Sequence, residues 1–361
     1  MPSRERIFVA MSGGIDSSVA AALFVERGYC VQGVTMRLWR EEADDQEMDD
    51  AVASARAVCE QLDIEHRVVD LRERFYHRVI EYFVRAYAEG RTPNPCVHCN
   101  RFIKFGELLD LVREWGADLL ATGHYARRHK AEGYYQLLRG VDEEKDQSYF
   151  LYMLGQEELG HILFPLGTWI KEEVYVFARE HHLPVAKRPE SQDICFIRDG
   201  DYRRFLAERA PQAVEPGPIY DREGNRLGQH KGLPFYTVGQ REGLGISAPR
   251  PLYVLEWDVE RNALIVGFAE ELGRRACLVE EMSYISGDPL TPGRRVQAQI
   301  RYRARPAPAR IWDCAEKRAR IVFRDPLRDI TPGQAVVLYD GDRVLGGGII
   351  SRVPKDPHVQ E

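Results

Sequence analysis

The chain has 361 residues, of which 44% are hydrophobic and 29% charged, a composition that excludes a disordered or fibrous protein. Its length exceeds that of most single domains, so two or three domains are expected. The first residues, MPSRERIFVAMSGG, contain no long apolar segment, and no uninterrupted apolar run approaches the ~18 residues of a membrane span. We therefore expect a cytoplasmic protein without a secretory leader or a membrane anchor.

The formal net charge of -6 is unevenly distributed along the chain. Residues 274–361 carry 16 Lys and Arg against 11 Asp and Glu, whereas residues 1–273 carry 34 against 45. A basic C-terminal part can face a polyanion, although an ordinary solvated surface has the same composition. Seven cysteines, an odd number, are too few for a disulfide scaffold in a chain of this length and indicate a reducing compartment.

The first third of the chain alternates strand and helix signals. RIFVAM at 6–11 predicts a strand, and SSVAAALFVERG has helical spacing and ends at Gly28. The segments 30–39 and EHRVVDL predict two more strands, separated by a helix over 48–63. This βαβαβ order predicts a parallel sheet covered by helices.

The alternation continues with a helix around 72–88, a loop GRTPNPCVHCN, a helix KFGELLDLVREWG and a strand DLLATGHYA. In an open parallel sheet, ligands bind at the carboxyl ends of the strands, where residues 12–18, Met36 and Gly123 would lie. We therefore expect these positions to share one pocket.

Three domains are predicted. An α/β domain occupies residues 1–205, and helical periodicity fades after about 211, where Pro and Gly accumulate. Residues 206–273 predict a small β-rich middle domain. Residues 274–361 alternate short β-like runs with turn signals, which predicts a small β-barrel.

The string SGGIDSS, residues 12–18, lies between the first strand and the first helix. A Gly/Ser turn at a helix N-terminus exposes backbone N–H donors and adds about half a positive charge, which suits a phosphate. The Walker pattern requires Lys-Ser/Thr at the end of the loop, and Asp16-Ser17-Ser18 stands there instead. This favours ATP cleavage between the α and β phosphates, that is adenylation, although a structural Gly-Gly turn is the alternative. SGGIDSS also resembles the PP-loop of the ATP pyrophosphatases.

The spacing Cys96-x-x-Cys99 leaves three interpretations open. It is half of a zinc site whose second half is missing, or a redox pair without a thioredoxin-like fold around it. Alternatively, Cys99 acts with the distant Cys195 on opposite sides of a nucleotide pocket, one carrying sulfur and the other releasing it. The remaining cysteines have no motif context and are expected to be small hydrophobic residues: Cys30, Cys59, Cys277 and Cys314.

The strings SGGIDSS, NPxxxCN, ATGHYAR, KDQSYFL, ICFI and RYR occur in this order along the chain. With both cysteines in place, the sequence resembles the bacterial tRNA-specific 2-thiouridylase family over nearly its whole length. The resemblance implies a PP-loop domain, a small β-rich domain and a C-terminal β-barrel that contacts tRNA. It also implies ATP-dependent 2-thiolation of the wobble uridine of tRNA, giving 2-thiouridine, AMP and pyrophosphate.

The resemblance assigns roles to individual positions. Cys195 corresponds to the persulfide carrier and Cys99 to the nucleophile that forms a transient disulfide with it, while Asp16 assists magnesium and pyrophosphate. The implied ATP-binding residues are Ala10, Met11, Ser12, Gly13, Gly14, Ile15, Asp16, Ser17, Met36 and Gly123. Mg²⁺ is expected only with ATP and not as a tightly bound metal of the protein.

Further positions match residues that contact RNA in the family. The target base is expected at Asn94, Pro95 and Cys96, and the rest of the tRNA at His124, Lys145, Asp146, Gln147, Arg301, Tyr302 and Gln334. Cys96 departs from the family pattern, because many relatives carry Asp there. A neutral thiol is a poor base near pH 7, so this position is expected to make a passive contact or to offer a third thiol.

The implied partners are the tRNAs for Glu, Gln and Lys and a cysteine desulfurase or sulfur-carrier protein. Two alternatives remain at this point. A PP-loop amide- or C–N-forming ligase of the amidotransferase or argininosuccinate synthase kind would adenylate another acceptor and need no cysteine pair. A non-catalytic RNA-binding module would need no intact SGGIDSS.

Overall fold

In the computed structural model, residues 5–41, 45–131, 133–185, 194–197, 199–312 and 317–354 are described, without the side chains of 45–48. Cys314 lies outside this set. The N-terminal part contains a five-stranded, entirely parallel sheet in the order β3-β2-β1-β4-β7. Its strands are β1 (Arg6–Ala10), β2 (Cys30–Arg37), β3 (Glu65–Asp70), β4 (Leu119–Ala121) and β7 (Ile162–Leu163).

The central strand β1 shows why the sheet is parallel and buried. Ile7, Phe8 and Val9 are successive and all at most 2% exposed, which requires cover on both faces. Helices such as α1 (Ile15–Glu26) and α2 (Asp45–Gln61) pack against the sheet and supply this cover. The other helices of the described residues are α3 (Arg72–Phe75), α4 (Glu81–Ala88), α5 (Pro95–His98), α6 (Leu109–Glu114), α7 (Gln156–His161), α8 (Lys171–Glu180) and α9 (Tyr202–Arg209). Turns with π-type hydrogen bonds, Tyr76–Ile80 and Cys99–Leu108, join α3 to α4 and α5 to α6.

The prediction of a loop over GRTPNPCVHCN is wrong for its second half. A helix begins at Pro95, with Asn94 as N-cap accepting a hydrogen bond from the backbone N–H of Cys96 at 3.2 Å. Asn at the N-cap and Pro at the first helical position are a strong start signal, which outweighs the turn signal of the Asn-Pro pair. Cys96 and Cys99 therefore lie on a helix that continues without a break to Glu114.

The middle part contains a four-stranded sheet in the order β10-β11-β8-β9. Its strands are β8 (Gly217–Tyr220), β9 (Arg226–His230), β10 (Tyr253–Asp258) and β11 (Ala263–Gly267). Val254, Leu264 and Val266 of this sheet form a small apolar core of their own with Ile219 and Leu233.

The C-terminal part is a closed antiparallel barrel of six strands, because β12 pairs with both β15 and β17. The strands are β12 (Arg274–Tyr284), β13 (Arg295–Gln299), β14 (Ala307–Trp312), β15 (Ala319–Leu327), β16 (Ala335–Asp340) and β17 (Arg343–Arg352). The hairpin β5 (Ala126–Ala131) and β6 (Tyr134–Arg139) pairs with β17, so a segment between β4 and β7 of the parallel sheet connects that sheet to the barrel. The predicted fold class is confirmed.

Candidate active site

The glycine loop connects β1 to α1 at the carboxyl edge of the sheet. Gly13 has φ +73°, and a Cβ there would lie 2.4 Å from the carbonyl oxygen of Ala51, so only glycine fits. The hydroxyls of Ser17 and Ser18 donate to the carbonyl of Gly14 and stabilise the first turn of α1. The loop therefore keeps a tight shape that brings backbone N–H groups and the helix N-terminus to one point.

Two other predicted positions lie at the same edge. Met36 is near the end of β2, and Gly123 follows β4, the two strands that flank β1. A Cβ on Gly123 would come within 2.9 Å of Asp16 and Ser17, so the absence of a side chain lets the two loops touch. The sheet thus places residues 12–18, Met36 and Gly123 at one edge, and binding of a nucleotide there stays a prediction.

Asp16, the acidic residue of this loop, is bound by two residues that the sequence analysis did not identify. Its carboxylate accepts a hydrogen bond from the Tyr125 hydroxyl at 2.7 Å and from the Lys171 ammonium at 2.7 and 2.9 Å. The Lys171 side chain is only 5% exposed, at the first position of α8. No short motif marks Lys171, because its partner lies 155 positions earlier in the chain. The fold therefore places a buried cation at the phosphate loop.

The three cysteines Cys96, Cys99 and Cys195 form what we call the thiol site. Cys96 and Cys195 contact solvent, whereas Cys99 is 8% exposed and belongs to the same apolar cluster as Met36. Protein atoms packed around the thiols raise the pKa of Cys96 to about 11 and that of Cys99 to about 12, and raise the pKa of Cys195 as well. A charge on Cys195 raises the pKa of the other two further. Ile194 and Phe196, which flank Cys195, pack in the same apolar cluster as Cys99, so Cys195 and Cys99 lie in one region of the fold.

All three thiols are protonated at neutral pH in this state and none is in a disulfide. The pairing of Cys99 with Cys195 therefore stays a prediction. Within the described ranges, no group of three or more His, Cys, Asp or Glu side chains is arranged to hold a metal ion.

A second cation missed by the sequence analysis is Lys104. Burial raises the pKa of each thiol and is the dominant effect. The positive charge of Lys104 lowers the pKa of all three. Lys104 follows Cys99 by five residues, and hydrogen bonds from residue i to i+5 over Cys99–Leu108 bring such positions one turn apart. An α-helical reading of the sequence puts them on different faces, which is why the signal was missed. Arg40, just beyond β2, also lowers the pKa of Cys195.

Residues predicted to contact tRNA near β4 mostly bond within the chain. His124 shares a 2.7 Å hydrogen bond with Thr122, and burial lowers its pKa well below the usual value, so the ring is neutral. Asp146 is buried and accepts from the backbone of Gly140 and from Ser148, beside an ion pair with Arg139 at 3.1 Å.

Two neighbours complete this group. The Gln147 side-chain oxygen accepts from the backbone N–H of Tyr125 at 3.1 Å, which fixes the loop after β4. Lys145 is half-buried. Its charge lowers the pKa of Tyr302, whereas burial of the Tyr302 phenol raises that pKa and is the larger effect. These bonds favour a role for Asp146 and Gln147 in shaping the site.

Barrel residues reach the thiol site in two places. Tyr302 packs on Phe150 with ring centroids 4.4 Å apart, and both side chains pack against the apolar cluster that contains Cys99. Gln334 donates from its side chain to the carbonyl of Thr92 at 2.9 Å, just before the N-cap of α5.

Arg301, by contrast, bonds to other residues of the protein with both terminal nitrogens of its guanidinium. Its guanidinium pairs with Asp329 at 3.2 Å and donates to Thr331 and to the carbonyl of Val238. It therefore links the barrel to the middle part of the chain.

No helix in the described part of the chain is long and apolar enough to cross a membrane. Family models cover almost the entire sequence: a tRNA methyl transferase HUP domain matches residues 5–199, a tRNA methyl transferase PRC-barrel domain 203–268, and an aminomethyltransferase beta-barrel domain 274–350.

Curated relatives match over the whole length as well. The tRNA-specific 2-thiouridylase MnmA of Moorella thermoacetica is 51% identical over 353 residues, 96% of this chain and 99% of the relative. Those of Chloroflexus aggregans and Symbiobacterium thermophilum are 50% and 47% identical, over 96% and 97% of this chain and 98% and 93% of the relative. The chain thus belongs to the tRNA-specific 2-thiouridylase family.

Proposed function

We propose that this enzyme carries out ATP-dependent 2-thiolation of the wobble uridine of tRNA. The observation that carries the proposal is the combination of a phosphate-type loop holding Asp16 with the thiol site, both on the carboxyl side of one parallel sheet. The helix bearing Cys96 and Cys99 leads directly into β4, so its N-terminal end lies on the side where β4 ends.

ATP activates the uracil in the first step. Uracil C2 is a poor electrophile because its oxygen leaves badly, so transfer of AMP to O2, with release of pyrophosphate, supplies a leaving group. The glycine loop and Lys171 bind the phosphates and stabilise the charge of the departing pyrophosphate. Mg²⁺ bound with ATP would neutralise further phosphate charge, with Asp16 as the nearest carboxylate of the loop.

Sulfur transfer is the second step and uses both predicted cysteines. The terminal sulfur of a Cys195 persulfide attacks C2, and AMP leaves with the former uracil oxygen. The Cys99 thiolate then attacks Sγ of Cys195, which forms a Cys99–Cys195 disulfide and releases the sulfur on C2 as 2-thiouridine. Two cysteine thiols are oxidised and the persulfide sulfur is reduced, so an external thiol must reopen the disulfide before the next cycle.

The target base is proposed to bind at Asn94, Pro95 and Cys96. The raised pKa of Cys96 means that it meets the base as a neutral thiol, in agreement with a passive contact. Tyr302 and Phe150 offer an aromatic surface beside this position on which a splayed anticodon base stacks. His124 and Lys145 border the same region.

The names of the relatives support tRNA as the substrate class. We propose tRNAs for Glu, Gln and Lys as substrates and a cysteine desulfurase or sulfur carrier as the source of the persulfide on Cys195. Free thiols at the site suit a reducing, cytoplasmic environment.

The test is mass spectrometry of nucleosides from unmodified tRNA incubated with the protein, ATP, Mg²⁺ and a persulfide-generating system. A thiolated uridine that requires ATP is expected with the wild type and with Cys30→Ser, an exposed cysteine at the start of β2 that serves as control. Cys99→Ser and Cys195→Ser are expected to abolish it. Pyrophosphate release without thiolation, unchanged in both variants, would contradict the proposal and favour the ligase.

A further inference from the structure

An ion-pair cluster surrounds Arg204, in the first turn of α9. Its guanidinium bonds Glu41 through two nitrogens at 2.8 and 3.0 Å, and Asp199 through two nitrogens at 2.8 and 3.1 Å. Glu208, one turn later on the same helix, adds a contact at 3.0 Å. A paired, bidentate geometry of this kind fixes direction as well as distance.

The two bidentate partners belong to segments that are far apart in sequence. Glu41 lies four residues beyond β2, the strand that carries Met36, and its side chain is only 12% exposed. Asp199 lies four residues after Cys195. One arginine therefore ties the strand end at the nucleotide side of the site to the segment that carries the thiol.

Asp199 and Arg204 are themselves held in place. Asp199 accepts from the backbone N–H of Asp201 at 2.9 Å, and Asp201 caps α9 by accepting from the backbone of Arg203 and Arg204. Asp199 and Arg204 therefore both lie at the capped N-terminus of α9, which reduces the conformational entropy lost when their ion pair forms.

A second anchor acts next to Cys195. Phe196 is 2% exposed and packs against Phe75, Phe83 and Phe205 with ring centroids 5.4 to 5.9 Å apart. Apolar burial is strong but non-directional, so it fixes the depth of the segment and leaves its orientation to other contacts. The bidentate bonds of Arg204 supply that orientation.

We propose that Arg204 is a positioning residue for sulfur transfer, which holds the Cys195 segment against the end of β2 so that this thiol faces Cys99. The role in sulfur transfer rests on the proposed function, whereas the positioning of the thiol does not. Nothing in the reaction touches Arg204 itself, so its effect passes entirely through the geometry of the thiol pair.

The equilibrium between protein and glutathione reports this geometry directly. Cys99 and Cys195 react with one glutathione disulfide to give the protein disulfide and two reduced glutathione molecules, so atoms and electrons balance. The equilibrium constant measures the effective concentration of one thiol at the other, which falls when a fixed segment becomes a flexible one. Arg204→Gln is expected to lower this constant about tenfold.

Three variants make the measurement specific. Arg204→Lys retains the charge without the planar fork and is also expected to lower the constant, by less than the Gln variant. Asp199→Asn removes the charge of one bidentate partner of Arg204 and is also expected to lower the equilibrium constant. Arg203→Gln is the matched control on the neighbouring position, where the guanidinium donates to the carbonyl of Phe235 at 3.3 Å and lies over the Tyr202 ring, and is expected to stay within about twofold.

Circular dichroism verifies the fold of each variant, and Glu41→Gln replaces Arg204→Gln if that variant does not fold. A constant for Arg204→Gln within twofold of the wild type, or a wild type that forms no Cys99–Cys195 disulfide, would overturn the proposal. The assay needs neither ATP nor tRNA, so a failure of the thiolation reaction leaves its result intact. If thiolation occurs, Arg204→Gln is expected to lower kcat while KM for ATP stays unchanged.

Discussion

Burial sets how reactive the thiol site is before substrates bind, and the charge of Lys104 opposes it. The pKa of Cys99 is about 12, so at pH 7.5 about three in 100,000 of these thiols are ionised, against about one in ten for an exposed cysteine. Because only the thiolate reacts, alkylation of Cys99 is expected to be more than about a thousandfold slower than that of an exposed thiol. Its rate should rise tenfold per pH unit from pH 7 to 9.5, with no plateau.

Replacing Lys104 by Gln removes the ammonium that opposes the effect of burial. A nearby opposite charge shifts a pKa by about one unit or more, so alkylation of Cys99 in Lys104→Gln is expected to be about tenfold slower at every pH in this range. Lys104→Arg preserves the charge and should react at close to the wild-type rate. The rate is measured as iodoacetamide labelling of the Cys99 peptide, quantified by mass spectrometry.

Arg101→Gln is the matched control, because Arg101 lies on the same helix but pairs with Glu281 at 3.0 Å. Its labelling rate should equal that of the wild type. A plateau near pH 9, or equal rates for Lys104→Gln and the wild type, would refute the electrostatic reasoning.

Three further predictions concern charge, burial and stacking. Asp16→Asn deprives the buried Lys171 of its carboxylate at 2.7 Å; we expect a loss of about 2 to 3 kcal/mol in the free energy of unfolding and at least tenfold slower pyrophosphate release. The pKa of His98 is lowered by burial to about 4, so its contribution to stability is present above pH 6.5 and is lost as the pH falls toward 4. Between pH 7 and 4.5 the free energy of unfolding should fall by about 2 kcal/mol because of His98. His98→Phe retains the ring stack on Tyr82, and urea unfolding curves of this variant should lack that pH-dependent loss. Tyr302→Leu should raise KM for tRNA about tenfold and leave KM for ATP unchanged.

Each of these has its own control. In the double variant with Lys171→Met, stability should return while pyrophosphate release stays slow; recovery of both would show that the ion pair has no catalytic role. An acid sensitivity of His98→Phe equal to that of the wild type would contradict the assignment of His98. Trp312→Leu, at an exposed position of the barrel, should leave KM for tRNA unchanged, and a rise equal to that of Tyr302→Leu would show a non-specific effect of aromatic loss.

Local patterns were sufficient to predict the architecture. The apolar run of β1, the glycine turn and the following Ala-rich helix are adjacent in sequence, so their geometry depends on neighbours a few positions away. The helix start at Pro95 was also encoded locally, in the Asn94 cap, but two competing signals share the same Asn-Pro pair. Only the structure shows which of them dominates.

The sequence by itself determined the parallel sheet, the barrel, the family and the residue types of the phosphate loop and the thiol site, because those rest on periodicity and on short ordered motifs. The tertiary structure alone decided which charges stand beside them. Lys171 bonds Asp16 across 155 positions, and Arg204 bonds Glu41 across 163 positions as well as the nearby Asp199. The charge of Lys104 acts on Cys99 within a segment of π-type hydrogen bonds. Ion pairs of this kind have no sequence period, since they arise where the fold brings distant segments within a few ångströms and excludes water.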